Sequence, residues 1–267
     1  LETERLILRP PVKPDTGPYF DYYKSDRARF VGGPKNDLRA IASAMGEIAG
    51  QWLLRGVSSF IAEEKTNPGT PIGSMGAWEP FTWPEMEFGW TIWNPEHEGK
   101  GYVTEAMRLL IPWTFERTGK ATAISIIDDG PRGQSARRDV RPRYHPARIR
   151  RGRRVLRQFR PGADLSPPPG GLDVTAFHET APTGPAAARA AEMQALIPVL
   201  ETERLILRAP KIEDFQSFVD MTSGTRARFY GNYADRDEAW GDFIQLVGTW
   251  ILKGHGVWTV SDRATDA

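Results

Sequence analysis

The chain has no cysteine among its 267 residues, which excludes disulfides, thiolate metal sites and cysteine nucleophiles. It has no apolar run approaching the roughly eighteen residues that a membrane helix needs. It also lacks the basic start, apolar stretch and small-residue cleavage site of a signal peptide. Its only histidines are His97, His145, His178 and His255, whose spacing fits no metal site. Lysine is missing from 121 to 210. These absences predict a cytoplasmic protein without metal or membrane partner. Because the chain opens at Leu1 and not at methionine, it is also expected to be a fragment.

Charge is unevenly spread. Residues 131–160 hold twelve arginines against one acid, Asp139, while the whole chain carries +1. One short segment therefore offsets the net acidity of everything else. An arginine-rich stretch of this kind admits a nucleic-acid arm, read from charge alone.

A repeat is present. Leu1–Arg9 reads LETERLILR and recurs unchanged as Leu200–Arg208. At the same offset Arg27-Ala28-Arg29-Phe30 recurs as Arg226-Ala227-Arg228-Phe229, and one residue earlier in register Trp52–Gly56 aligns with Trp250–Gly254. A period of about two hundred residues is too long for a solenoid and indicates two copies of one domain, the second cut short.

In the first copy the pattern predicts a strand at Arg5–Arg9 and a short helix at Asp15–Ser25. Leu38, Ile41, Met45, Ile48 and Trp52 then mark one face of a helix ended by Gly56. Trp240, Phe243, Val247 and Trp250 repeat that stripe. Strands follow at Ser58–Glu63, Ile72–Trp78 and Met86–Trp93, with turns at Asn67-Pro68-Gly69 and Trp83-Pro84. A loop at 94–101 leads into a helix over Tyr102–Thr118, buried through Val103, Ala106, Met107, Leu110 and Trp113. Pro112 should kink this helix. A last strand spans Ala121–Ile127.

Beyond Gly130 no apolar period survives, and 131–190 offers no assignable core element. Read from the second base of Arg151, Arg151–Ser166 can encode a glycine turn followed by an apolar strand. The expectation is a displaced reading frame over about 131–167, or a disordered linker.

Chemistry concentrates in the stretch Glu85–Ala106, where a strand enters a loop with Gly99-Lys100-Gly101 and the loop opens a helix. Unpaired N–H groups and the positive end of the helix dipole converge there and suit a pyrophosphate. Glycine lets the backbone approach phosphates without an intervening Cβ. The third position of a dinucleotide fingerprint is Thr104, which speaks against that motif, and no G-K-[ST] follows for a P-loop.

The opening T-E-R-L-I-L-R-P and the run G-K-G-Y-V-T-E-A resemble the GNAT superfamily of N-acetyltransferases, in particular its ribosomal-protein N-terminal acetyltransferase-like branch. The resemblance covers Leu1–Asp129 and again Leu200–Ala267. It implies an α/β fold with a mixed central sheet, incomplete at its C-terminal end, plus a partial second copy. The expected division is a GNAT domain at 1–130, a linker at 131–199 and an N-terminal GNAT fragment at 200–267.

The resemblance also implies acetyl-CoA as co-substrate and a primary amine as acceptor, either a protein N-terminus or a small-molecule amine. Thr91, Ile92, Trp93, Gly99, Lys100, Gly101, Tyr102, Val103 and Thr104 would bind acetyl-CoA. Glu87 would serve as general base, with Glu85 as a weaker candidate. Glu96 stands where the family usually carries Gln or Arg, and its charge works against a phosphate. The family's later asparagine and tyrosine have no counterpart that can be placed, and Tyr144 lies outside any helical pattern. The rival readings are an inactive remnant or scaffold, and a nucleic-acid binder acting through 132–160.

Overall fold

The computed structural model describes residues 1–79, 85–128, 144–150, 179–223, 227, 233 and 235–265. The first sheet runs β1 (Leu6–Arg9), β2 (Ser59–Glu64), β3 (Pro71–Trp78), β4 (Glu87–Ile92), β5 (Thr122–Asp128) and β6 (Tyr144–Arg150), in that spatial order. Every neighbouring pair is antiparallel except β4–β5, which is parallel. The sheet is thus mixed, as expected, and each predicted strand lies within a residue or so of its observed limits. The turn at Trp83-Pro84 lies outside the described residues.

Helices cover both faces of this sheet. On one face Leu6, Leu8, Phe60, Ala62 and Phe88 pack with Ala106, Met107, Leu110 and Phe115 of α3 (Tyr102–Thr118). On the other, Ile61 meets Tyr19 and Tyr22 of α1 (Thr16–Lys24) and Ile41, Met45 and Ile48 of α2 (Leu38–Arg55). Strand β2, buried between the layers, reads as a nearly continuous buried run, the pattern of a strand covered on both sides.

Local sequence explains the helix limits. The Asp37 side chain accepts from the N–H groups of Arg39 and Ala40, and Gly56 closes α2 at φ 67°. Helix α3 is closed in the same way by Gly119, also at φ 67°. Two expectations need correction. Leu38 opens α2 but is 53% exposed, and burial of the stripe begins at Ile41. In α3 the buried face is rotated toward Tyr102, Thr114 and Phe115, leaving Val103 and Trp113 half-buried.

The region 131–199 also differs from expectation where it is described. Strand β6 pairs along all of β5, from Thr122↔Arg150 to Asp128↔Tyr144. Helix α4 (Gly184–Gln194) buries Ala186 and Ala190 and donates from Gln194 Nε2 to the Leu53 carbonyl at 2.9 Å. Its alanines are strong helix formers with little hydrophobic contrast, so the helix leaves no periodic stripe. The displaced-frame segment 131–167 falls outside the described residues, apart from β6.

Residues 200–262 form β7 (Leu200–Glu201), β8 (Leu205–Arg208), α5 (Phe215–Ser223), α6 (Arg236–Lys253) and β9 (Thr259–Asp262). Local details recur between the chain's two ends. Arg9 forks onto Asp15 at 2.7 and 2.8 Å, and Arg208 onto Asp214 at 2.8 Å twice. Like α2, α6 is capped by an aspartate, Asp235, and ended by a left-handed glycine, Gly254 at φ 72°. The stripe Trp240, Phe243 and Val247 is buried, with Trp250 half-buried beside it.

Candidate active site

The glycine loop leaves β4 through a 3₁₀ turn at Pro95–His97 and enters α3 at Gly101. Gly99 and Gly101 have φ of 72° and 80°, a region other residues adopt only with strain. The space beside Gly101 is open up to Arg5 Nη2, 3.7 Å from where a Cβ would stand. The N–H groups of Tyr102, Val103 and Thr104 belong to the first turn and have no intrahelical acceptor. The first helical bond runs from Glu105 N–H to the Gly101 carbonyl at 3.0 Å. The side chain of Tyr102 turns the other way, its hydroxyl donating to the Glu64 carboxylate. That bond raises the phenol's pKa and lowers the carboxyl's. Lys100 Nζ lies 3.8 Å from Glu64, and Glu96 is exposed.

The two motifs that carry the family resemblance are bonded to each other. Arg5 donates through Nε to Glu105 at 2.7 Å and through Nη1 to the Lys100 carbonyl at 3.0 Å. The Arg5 N–H donates to Glu105 Oε1 at 2.8 Å, and the Thr3 hydroxyl donates to the same oxygen at 2.5 Å. Burial pushes the Glu105 carboxyl up, but these donors outweigh it and hold the group below the usual carboxylate range. The guanidinium also stacks on Tyr102, 4.6 Å from the ring centre. Arg5 therefore fixes the loop from the far end of the sheet, about a hundred residues away in sequence. Sequence reading missed this role, and no periodic signal could have revealed it. An open cavity of about 600 Å³ adjoins the loop, lined by Glu4, Arg5, Gly101, Thr104, Glu105 and Arg108.

Strands β4 and β5 pair in parallel at Glu87↔Ile124, where the Ile124 N–H donates to the Met86 carbonyl at 2.9 Å. Beyond that point β4 continues to Ile92 paired with β3, while the Ser125 hydroxyl of β5 still donates to the Phe88 carbonyl at 2.9 Å. Thr91 and Ile92 line this part of β4. Arg27 Nη2 donates to the Ile92 carbonyl at 3.0 Å and to Glu98 at 2.7 Å. Trp93 differs from expectation. Its N–H donates to the Ile72 carbonyl at 2.9 Å, so this donor is already used, and the ring is buried edge-on to Tyr19 at 5.6 Å. Its indole N–H holds the Thr91 hydroxyl at 3.0 Å, and that hydroxyl also meets Ser74 at 2.9 Å.

Glu87 faces a cavity of about 350 Å³ between β4 and the helices α1 and α2. Tyr19, Tyr23, Lys35, Ser74, Trp90 and Thr91 also line it. Burial raises the Tyr23 phenol, and the nearby Glu87 carboxylate raises it further against the opposing hydrogen bond from Tyr19. Both phenols therefore stay protonated near neutrality. Behind the wall, burial pushes the Glu47 carboxyl up to about 7, with the Lys35 charge pulling it partly back. Glu85 is engaged elsewhere, accepting from the Thr122 hydroxyl at 2.7 Å. His97 is buried beside the loop, Nδ1 3.4 Å from Glu64 and Nε2 3.2 Å from Glu96, away from the cavity of Glu87. No cluster of metal-ligating side chains occurs among the described residues, nor any helix long and apolar enough to cross a membrane.

Residues 5–133 match the family model of the acetyltransferase (GNAT) domain. An acetyltransferase from Agrobacterium tumefaciens is 33% identical over 49% of this chain and 74% of its own, with a TM-score of 0.46. A spermidine N-acetyltransferase from Vibrio cholerae, solved with CoA and spermine, is 16% identical over 46% of this chain and 71% of its own, at TM-score 0.38. An aminoglycoside acetyltransferase solved with coenzyme A is also 16% identical, over 46% of this chain and 75% of its own, at TM-score 0.37. A search of curated proteins gave no match. Through residues 5–133 the chain belongs to the GNAT acetyltransferase family.

Proposed function

We propose that this chain is a cytoplasmic N-acetyltransferase that moves an acetyl group from acetyl-CoA to a primary amine. It belongs on this reading to the ribosomal-protein N-terminal acetyltransferase-like branch, and residues 200–267 are the start of a second copy of the same domain. The observation that carries the catalytic reading is the pair of left-handed glycines, Gly99 and Gly101, that leads from the end of β4 into the first turn of α3.

Acetyl-CoA fits the residues present. Gly99 and Gly101 leave room for phosphates, and the N–H groups of Tyr102, Val103 and Thr104 supply donors at a helix N-terminus. Lys100 adds a cation at the rim. Thr91 and Ile92 would border the thioester, whereas Trp93 positions the Thr91 hydroxyl. The bound co-substrate supplies the activated acyl carbon.

The acceptor enters the cavity faced by Glu87. An amine attacks as the free base, so the proton of its ammonium must leave. Glu87, which lines that cavity, would take it directly or through one water. The new C–N bond then forms as the C–S bond breaks, the nitrogen gives up its second proton, and the departing thiolate takes up one in its place. Tyr19, Tyr23 and Trp90 give the cavity aromatic faces that suit a cation before it loses its proton.

Calorimetry with acetyl-CoA, followed by thiol release over a panel of amines, tests this. Binding with amine-dependent release is expected. Binding without release from any amine would favour a non-catalytic remnant.

A further inference from the structure

Helices α2 and α6 cross at a close seam. The space a side chain would need at Gly50 is filled by the Ile244 carbonyl, 2.1 Å from the Cβ position. The same holds at Gly248, where the Gly46 carbonyl lies 2.1 Å from that position. Only glycine permits such an approach of two backbones. Ser43 Oγ also donates to Gln245 Oε1 at 2.9 Å.

The helices have equal length, and their capping residues match at a shift of 198 residues: Asp37 to Asp235 and Gly56 to Gly254. The same shift carries Gly50 to Gly248, Gly46 to Ile244 and Leu54 to Leu252. The contact of Gly50 with residue 244 thus has its mirror in the contact of Gly248 with residue 46. The exchange of side chains is also mutual. Leu53 and Leu54 of α2 enter the core built by Phe215, Trp240 and Phe243. In return Leu252 of α6 enters the core built by Tyr19, Ile41 and Met45, with Ile251 packed beside it. Residue i touching j while the equivalent of j touches the equivalent of i is the signature of a two-fold, isologous interface.

We propose that the α2–α6 seam is such an interface, in which residues 200–262 hold the place of a second copy of residues 1–64. The partner suited to an α2 face freed from α6 is then the α2 of another chain. This rests on the two-copy reading above.

Two disulfides test the symmetry in the full chain, whose lack of cysteine makes each pair unambiguous. A Cβ at Gly46 would stand 3.4 Å from Gln245 Cβ, near the separation of about 3.8 Å usual in disulfides. Gly46→Cys/Gln245→Cys should therefore close within the monomer. The two-fold requires its mate, Glu47→Cys/Ile244→Cys, to close as readily. Closure of the first pair alone would overturn the two-fold, and closure of neither would remove the seam itself. Gly248→Leu, measured by light scattering, should release α6 and double the mass of the parent. Adding Gly50→Leu should abolish that doubling. A folded Gly248→Leu chain with the parent's mass would overturn the choice of partner. If that variant does not fold, the mate disulfide still decides. Missing acetyl transfer with both disulfides closed would instead fault the enzymatic reading alone.

Discussion

Among single residues, Arg5 and Glu47 give the sharpest expectations after Glu87. Arg5 holds Glu105 and the Lys100 carbonyl, so Arg5→Ala should loosen the glycine loop while leaving the cavity of Glu87 intact. A rise of about tenfold in KM for acetyl-CoA with kcat nearly kept is expected from lost positioning. Steady-state kinetics at saturating amine checks it, and a fall in kcat alone would contradict it. Glu47 carries a stability term. Its folded pKa is raised from 4.5 to about 7 by burial, so the term is fully present below the unfolded value and is lost as pH rises through the folded one. Glu47→Gln removes the term. Relative to the parent, the variant should therefore gain up to about 3 kcal/mol on going from pH 4.5 to pH 8. Denaturant unfolding at the two pH values measures this, and an unchanged difference would sink it. The loop at Gly99 and Gly101 was legible because a strand, a loop and a helix start each leave local patterns, whereas Glu87 was singled out by the family resemblance alone. Arg5 was not, since its partners lie about a hundred residues away and nothing local distinguishes it from any strand-edge arginine.

At the level of elements, the junction between loop and α3 depends on two left-handed glycines. Gly101→Ala meets open space but must hold φ near 80°, at a cost of about 1–2 kcal/mol. Acetyl-CoA affinity should fall by about tenfold through a displaced first turn, read by calorimetry. An unchanged affinity would show that the backbone there does not face the phosphates. The end of α2 and the start of α3 were readable from Gly56 and Gly101, because capping is a local effect. Helix α4 was not, because Ala186 and Ala190 bury little area and so leave no apolar period. Trp93 was assigned to the cofactor by its place in the motif, yet its ring and N–H face inward. Which side of a strand end stays free is decided by the neighbouring strand, and the register of β3 against β4 is not written in β4 itself.

Across the whole molecule, the repeat was evident in sequence but the packing of its parts was not. The stripe Ile41, Met45, Ile48 and Trp52 accounts for one face of α2, whereas Gly46, Gly50, Leu53 and Leu54 form a second buried face that no single stripe predicts. Gly50→Leu should destabilise the chain by about 1–3 kcal/mol as an overpacking change, seen as a lower Tm. An unchanged Tm would mean that α6 does not press on α2. The central claim remains catalytic. It is tested most directly by kcat and KM for amine-dependent thiol release from acetyl-CoA, measured side by side for the parent and Glu87→Gln. The account predicts turnover by the parent and a loss of about 10²-fold or more in kcat for the variant with KM for acetyl-CoA retained. Equal kcat in both proteins would contradict it.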